Sequence, residues 1–207
     1  MHLKSRIPNG PYRVASLLFL IAMQLQVAWS ADEPVKTESL HHELRFTDLN
    51  DKSYTFKAPE GSRALVLIFV TTDCPIANSY QPALARLYDE FHRTGFEFVM
   101  VHEGLDQSID KLKEHSKEYA VPFSVVMDGD HSIARRASAT KTPEVFVFGR
   151  EGEVCYQGRI DNVYQAFGKK RATATRNDLR IALTELDSGE SVSVPKTEAV
   201  GCSIQLK

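Results

Sequence analysis

The chain has 207 residues, a length typical of one domain with short extensions. Hydrophobic residues make up 43% of it and charged residues 25%, which permits a globular core and excludes collagen-like, coiled-coil and disordered classes. The 25 basic and 27 acidic side chains give a formal charge of -2, so the charge does not favour a nucleic-acid partner.

The first 30 residues have the order of a secretory signal peptide. Basic residues and no acidic ones in the segment 1–13 precede an apolar run over 14–23, and Ala-Trp-Ser at 28–30 supplies the small residues of a cleavage site. The apolar run is well short of the roughly 20 residues that a membrane-spanning helix requires. We therefore expect a signal peptide over 1–30 and an exported protein, periplasmic or secreted, with no stable membrane span after cleavage. A membrane anchor formed by an uncleaved N-terminus is the alternative.

Composition divides the exported part into three segments. We expect a polar lead-in at 31–41, a folded domain at 42–189 and a tail without helical periodicity at 190–207. The domain opens with residues 44–56, which predict two short strands joined around the turn-prone pair Asn50-Asp51. A β-hairpin therefore precedes the rest of the domain.

The remainder of the domain alternates strand and helix patterns. Residues 64–70 form a near-continuous aliphatic and β-branched run, typical of a central strand that helices cover on both faces. Apolar residues over 84–91 recur at i, i+3, i+4 and i+7, the spacing of an amphipathic helix. The other predicted elements are a strand at 96–101, a helix capped by Asp106, a strand at 123–127, a short helix from Asp130 through Ala139, a strand beginning at Pro143, an antiparallel return over 154–160 and a last helix opened by Thr175-x-x-Asp178.

This order of elements defines the fold class. Strands that alternate with helices and end in an antiparallel pair predict an α/β fold with a central mixed β-sheet flanked by helices. An N-terminal β-hairpin and an irregular C-terminal tail complete the predicted architecture.

Cys74 stands between the central strand and the amphipathic helix. A helix N-terminus carries unpaired N–H groups and a partial positive charge, both of which favour thiolate over thiol, and Pro75 suits the first helical turn. Hydroxyl groups of Thr71 and Thr72 can donate hydrogen bonds to the anion, whereas the charge of Asp73 opposes it. Because thiolate is the nucleophilic form, the pattern indicates Cys74 as a redox nucleophile. A buried, inert thiol is the alternative.

Three further features make the chain similar to a known family. They are the run Val-Thr-Thr-Asp-Cys-Pro-Ile-Ala at 70–77, the run Thr-Pro-Glu-Val-Phe-Val-Phe at 142–148 and the run Tyr-Gln-Gly-Arg-Ile-Asp at 156–161. In this order they resemble the redoxin branch of the thioredoxin-like superfamily, which includes AhpC/TSA-like peroxiredoxins and exported thiol-disulfide oxidoreductases. The resemblance covers roughly residues 40–187. It implies a thioredoxin-like fold, Cys74 as the attacking thiol, and Thr142 followed by a cis Pro143 that shapes a substrate groove beside it.

The chain departs from the patterns of these relatives at three positions. Ala77 stands where thioredoxins carry a second cysteine, so exchange within a Cys-x-x-Cys motif is excluded. Leu67 replaces a proline of the peroxiredoxin pattern, and Lys141 lies where peroxiredoxins place an arginine that polarises peroxide. Both a peroxide and a protein disulfide therefore stay open as substrates. The arginines that could replace the missing cation, or could instead form surface ion pairs, are Arg135, Arg136 and Arg159.

Two further cysteines complete an odd set of three, so at least one thiol lacks an intrachain disulfide partner. Cys202 follows Gly201 in the tail, where a flexible backbone could bring it to Cys74 as a resolving thiol. A structural disulfide between the tail and the domain, or an unpaired thiol, is the alternative. Cys155 on the returning strand is expected to be buried and inert, or else to be the partner of Cys202.

No pattern in the chain predicts a cofactor or a metal site. His102 is the one histidine expected near the active edge of the sheet, and Asn78 stands where copper-handling relatives carry a second cysteine. The expected partners are a peroxide or protein disulfide and a thiol reductant of unknown identity, with no nucleic acid. A non-catalytic thioredoxin-fold binding module with a structural disulfide is the alternative function.

Overall fold

The computed structural model of the chain describes residues 44–104 and 107–206. The predicted signal peptide, the lead-in at 31–41 and the proposed cap Asp106 lie outside the described residues. The elements, in chain order, are β1 (Phe46–Thr47), β2 (Ser53–Tyr54), β3 (Ala64–Val70), α1 (Pro75–Phe91) with a 3₁₀ turn at His92–Thr94, β4 (Phe96–Glu103), α2 (Ile109–Glu118), β5 (Ser124–Asp128), α3 (Ser132–Ala137), β6 (Lys141–Thr142), β7 (Glu144–Phe148), β8 (Val154–Gly158), β9 (Tyr164–Ala166), β10 (Lys169–Lys170), α4 (Asp178–Asp187) and β11 (Cys202–Ser203).

A five-stranded mixed sheet forms the centre of the domain, with the strand order β5-β4-β3-β7-β8. Strands β3, β4 and β5 are parallel, and β7 and β8 join them antiparallel. Three separate two-stranded pairs accompany this sheet: β1 with β2, β9 with β10, and β6 with β11. The predicted N-terminal hairpin is therefore present.

Both faces of the central sheet are covered, as the sequence of β3 predicts. Val66, Ile68 and Val70 belong to an apolar cluster with side chains of α1, α2 and α4. Leu67 and Phe69 face the opposite way and pack with α3 and the β1–β2 hairpin. Because both side-chain sets of one strand are buried, β3 lies in the middle of a three-layered domain.

The two middle helices begin and end at residues that the sequence pattern did not single out. Ser108 caps α2, and its hydroxyl accepts a hydrogen bond from the Lys111 amide at 3.3 Å. Helix α3 ends before Ala139 because Ser138 adopts a left-handed backbone with φ of 60°. The carboxylate of Asp130 accepts from the Ser132 amide at 3.0 Å, as a residue near the helix start is expected to do.

The predicted capping box before the last helix is wrong. Helix α4 begins at Asp178, which the capping pattern placed inside the helix, and its N-cap is Asn177. The hydroxyl of Thr175 accepts instead from the side-chain amide of Asn162 at 2.8 Å. Asp178 is buried and forms ion pairs with Arg159 at 2.7 Å and Arg176 at 2.6 Å, so this residue joins the helix to the preceding loop.

The tail is irregular along most of its length but is attached to the domain at two places. Its residue Thr197 donates from the backbone to the Gln157 carbonyl at 2.9 Å, beside strand β8. Further on, β11 pairs antiparallel with β6. Within the described part of the chain, no helix combines the length and apolar character needed to cross a membrane.

Candidate active site

Cys74 is the N-cap of α1, at the carboxyl edge of β3. Its backbone is extended, with φ of -84° and ψ of 108°, and Pro75 is the first residue of the helix. The Cys74 sulfur accepts a hydrogen bond from the Ala77 amide, with 3.5 Å between N and Sγ. The predicted junction of strand, cysteine and helix is therefore present, and the sulfur faces the amides at the helix N-terminus.

The sulfur also lies against the loop that precedes β7. The Thr142–Pro143 peptide bond is cis, as the family resemblance implied. The protonated thiol of Cys74 donates to the Thr142 carbonyl oxygen at 3.0 Å. Residues that are 68 positions apart in the sequence thus meet at one point.

The tail brings Cys202 to the same point. Cys202 is paired with Thr142 in the β6–β11 ladder, and Ser203 is paired with Lys141. The thiol and the backbone amide of Cys202 both lie close enough to the Cys74 sulfur to lower the pKa of Cys74. All three cysteines of the chain are free thiols.

The tail also covers Cys74. Cys74 is only 1% exposed, so its thiol is buried, as in the alternative that the sequence left open. Cys202 packs against the apolar cluster that contains Cys74. The burial therefore arises in part from a segment that the sequence pattern described only as irregular.

The pKa values of Cys74 and Cys202 are shifted in opposite directions. Burial raises the pKa of Cys74, but the hydrogen bonds from the Cys202 thiol, the Ala77 amide and the Cys202 amide outweigh it, so the net pKa is lowered. Burial, the hydrogen bond to Cys74 and the charge of Cys74 raise the pKa of Cys202 to about 11. The pair thus favours one negative charge, held on Cys74.

The other predicted site residues support the loop rather than the sulfur directly. The Thr71 hydroxyl accepts from the Asp73 amide at 3.2 Å, and the Thr72 hydroxyl donates to the side chain of Gln107 at 3.2 Å. The two hydroxyls, which the sequence suggested as donors to the Cys74 sulfur, therefore bind other groups, and the sulfur accepts from the Ala77 amide instead. Arg159, one of the arginines considered as a substitute cation, is held by Asp178.

Cys155 occupies a different environment from the other two cysteines. The neighbouring Tyr156 is fully buried, and Cys155 on the opposite face of β8 is half-buried. Burial and the nearby Glu153 carboxylate raise the pKa of Cys155 to about 11. These surroundings therefore disfavour the thiolate form of Cys155.

A pair of buried histidines beside the active-site loop was missed by sequence reasoning. The Asn78 amide donates to the Thr72 carbonyl at 2.8 Å, and its oxygen accepts from His115 Nε2 at 2.9 Å. The ring of His115 in turn lies edge-on to that of His102, with 4.8 Å between centroids. Spacing gives no signal for this contact, because Asn78, His102 and His115 come from three different elements.

His102 is kept neutral by its surroundings. It is fully buried, and neither of its ring nitrogens has a hydrogen-bond partner among the described residues. Burial and the charge of a protonated His115 lower the pKa of His102 to about 3. Burial also lowers the pKa of His115. Within the described part of the chain, no group of three or more His, Cys, Asp or Glu side chains is arranged to hold a metal ion.

We predict that protonation of His102 destabilises the fold under acidic conditions. An unfolded chain binds the proton near pH 6.5, whereas the folded chain binds it only near pH 3, so stability decreases as the pH falls between these values. In His102→Leu, the free energy of unfolding should change less steeply with pH, by up to about 1.4 kcal/mol per pH unit between pH 6 and 4. Urea unfolding of both proteins at several pH values measures this. Parallel pH profiles would contradict the prediction.

The sheet order, together with a cysteine at the start of α1 beside a cis-proline, defines a thioredoxin-like protein of the redoxin branch. The amino-acid sequence also shows to which family within this branch the chain belongs. The chain belongs to the AhpC/TSA family, whose characteristic sequence pattern matches residues 37–157. The chain is also 29% identical, over 107 residues, to the thiol-disulfide oxidoreductase ResA of Bacillus subtilis (strain 168). That alignment covers 52% of this chain and 58% of ResA. Both findings support the prediction of a redox enzyme.

Solved structures agree with the predicted fold. An uncharacterized conserved protein from Geobacillus kaustophilus superposes with a TM-score of 0.69 at 23% identity, covering 79% of this chain and 88% of the other. A hypothetical protein from Sinorhizobium meliloti 1021 superposes with a TM-score of 0.68 at 22% identity, covering 79% and 91% of the two chains. At these identities the likeness concerns the fold, which it confirms.

Proposed function

We propose that the protein is an exported thiol-disulfide oxidoreductase in which Cys74 is the nucleophile and Cys202 is the resolving thiol. One observation carries the proposal: the pairing of β11 with β6 brings Cys202 beside Cys74, whose sulfur accepts a hydrogen bond from the Ala77 amide at the start of α1. The likeness to the thiol-disulfide oxidoreductase ResA supports the same reaction class. Export rests on the signal-peptide pattern of residues 1–30.

The reaction proceeds in two exchanges. Cys74 thiolate attacks one sulfur of a substrate disulfide, so a Cys74–substrate bond forms while the substrate disulfide breaks and releases one thiolate. Cys74 is now neutral, and the charge that raised the pKa of Cys202 is gone. Cys202 then loses its proton to solvent and attacks Cys74, forming a Cys74–Cys202 disulfide and releasing the second substrate thiolate. An external thiol reductant restores both thiols.

A disulfide suits this site better than a peroxide. Peroxide cleavage benefits from a cation that stabilises the departing oxygen, and the groups that stabilise the Cys74 sulfur are Cys202 and the Ala77 amide. Arg159 is occupied by the buried carboxylate of Asp178. Polarity around the sulfur is therefore supplied by neutral donors, which suffice for exchange between sulfur atoms.

The experiment is to oxidise the reduced protein and map the bond that forms. We expect oxidised glutathione to yield a Cys74–Cys202 disulfide by mass spectrometry of the unreduced digest, with Cys155 left as a free thiol. Hydrogen peroxide is run in parallel, and disulfide exchange should be the faster reaction at equal oxidant concentration. Recovery of Cys74 as a free thiol under both oxidants would overturn the proposal and favour the binding-module alternative.

A further inference from the structure

The tail is attached to the domain at two places that differ in strength. At the first, Thr197 and Pro195 both exchange backbone hydrogen bonds with Gln157, at 2.9 and 2.8 Å. The Thr197 hydroxyl is also bonded to the hydroxyl of the buried Tyr156 at 2.7 Å and to the Arg159 amide at 3.1 Å. This cluster of bonds around a fully buried aromatic residue makes a firm anchor.

The second attachment is smaller and lies directly over the active site. It consists of the two-residue pairing of β11 with β6, a hydrogen bond from the Lys141 ammonium to the Ser203 hydroxyl at 2.8 Å, and a bond from the Ile204 amide to the Thr140 carbonyl at 3.0 Å. Within residues 202–204, Cys202 is half-buried, Ser203 is exposed, and Ile204 is the only large side chain that is buried. Because a ladder of only two residues and a solvent-exposed side-chain bond hold it, this segment separates from the domain at lower cost than the anchor at Thr197.

Close backbone contact determines which residues fit along β6. A Cβ atom added to Gly201 would lie 2.0 Å from the Thr142 carbonyl oxygen, a distance that forces backbone to move. The tail can therefore lie beside Cys74 only with a glycine at this position. While it does so, the sulfur is 1% exposed and no second protein can reach it.

We propose that the edge of β6 is an exchange surface, occupied in turn by the tail segment 199–204 and by an extended, cysteine-bearing segment of a partner protein. The inference rests on the proposed function and names its substrate class. When β11 leaves, the backbone groups of 140–142 that paired with it are free, and such an edge binds an extended segment by the same pairing. A partner sulfur at the position of Cys202 then faces Cys74.

The anchor at Thr197 turns this competition into a release mechanism. A tail tethered a few residues away remains at high effective concentration, so it returns to β6 when the partner segment loosens. Its return removes the partner from the edge and brings Cys202 to the mixed disulfide. The same movement therefore expels the segment and completes the second exchange described above, with no further reactant.

The test measures only the first exchange, which does not need Cys202. The probe is an extended peptide whose single cysteine carries a thionitrobenzoate group, so attack by Cys74 releases a coloured thiolate. In Gly201→Val the added side chain weakens the pairing of the tail with β6 and leaves all three cysteines in place. Gly129→Ala is the matched control, because an added Cβ meets nothing within 4 Å there.

We expect Gly201→Val to react with the peptide at least about tenfold faster than the wild type at alkaline pH, where Cys74 ionises without the Cys202 groups that lower its pKa, since the competent open form is more populated. Gly129→Ala should react at the wild-type rate. A version of the peptide with N-methylated backbone amides should lose most of the gain, because it cannot pair with β6. A chain ending at Glu198, which lacks the covering segment but keeps the anchor, should behave like Gly201→Val.

Two results would overturn the inference. Unchanged peptide rates in both Gly201→Val and the shortened chain would mean that the tail does not compete. Equal acceleration of the methylated and unmethylated peptides would mean that the tail only shields the sulfur. The small disulfide dithiobis(nitrobenzoate), tested on the same samples, distinguishes a failure of this inference from a failure of the proposed function. If this reagent too fails to react with Cys74, the proposed function itself fails.

Discussion

Replacement of Cys74 by serine should reduce disulfide exchange to the uncatalysed background, a loss of roughly three orders of magnitude or more. A serine hydroxyl stays protonated at neutral pH, so the helix N-terminus and the Cys202 donors have no anion to stabilise. Turnover is measured as the glutathione-dependent reduction of an unactivated peptide disulfide, after subtraction of the rate without the protein.

Cys155→Ser is the matched control for this substitution. It removes the same atom type from a half-buried strand position, where the pKa of the thiol is raised to about 11. Its turnover should equal that of the wild type. If Cys155→Ser were the inactive variant and Cys74→Ser the active one, the assignment of the nucleophile would be wrong.

The second large effect is expected from Cys202→Ser, which separates the two exchanges. Cys74 retains the Ala77 amide and the Cys202 backbone amide as donors, so the first exchange should proceed. The mixed disulfide then has no second thiol to resolve it, because Ala77 offers no sulfur within the helix. Steady-state turnover should fall by roughly 100-fold or more, while a stoichiometric burst remains.

Mass spectrometry of the intact variant identifies the trapped species. Cys202→Ser treated with a disulfide should gain the mass of one substrate half, attached at Cys74, whereas the wild type should show only the intramolecular disulfide. Full turnover by Cys202→Ser would assign resolution to the external reductant and leave Cys202 a structural role.

The sequence predicted those features that depend on local pattern. The aliphatic run of β3, the helix after Cys74 and the returning strand β8 follow from side-chain periodicity, and all three are present. The position of Cys74 at a helix N-terminus follows from the junction itself. Cis Pro143 came from the family resemblance, since no periodicity bears on the isomer of a peptide bond.

The features that the sequence did not predict depend on long-range contact. Strand β11 is two residues long, so its pairing with β6 leaves no alternation that a pattern could detect. The same holds for Asn78 and His115, which meet through the packing of α1 on α2. Helix starts were the least predictable local feature: serine, asparagine and aspartate all cap helices, and the surrounding loop decided between Thr175 and Asn177.

The order of residues along the chain matters for biosynthesis. Cys74 and the cis-proline loop are synthesised well before 199–204, and the growing polypeptide emerges from its N-terminal side. Folded residues that precede 199–204 therefore leave Cys74 without this covering segment for as long as 199–204 is still to be synthesised.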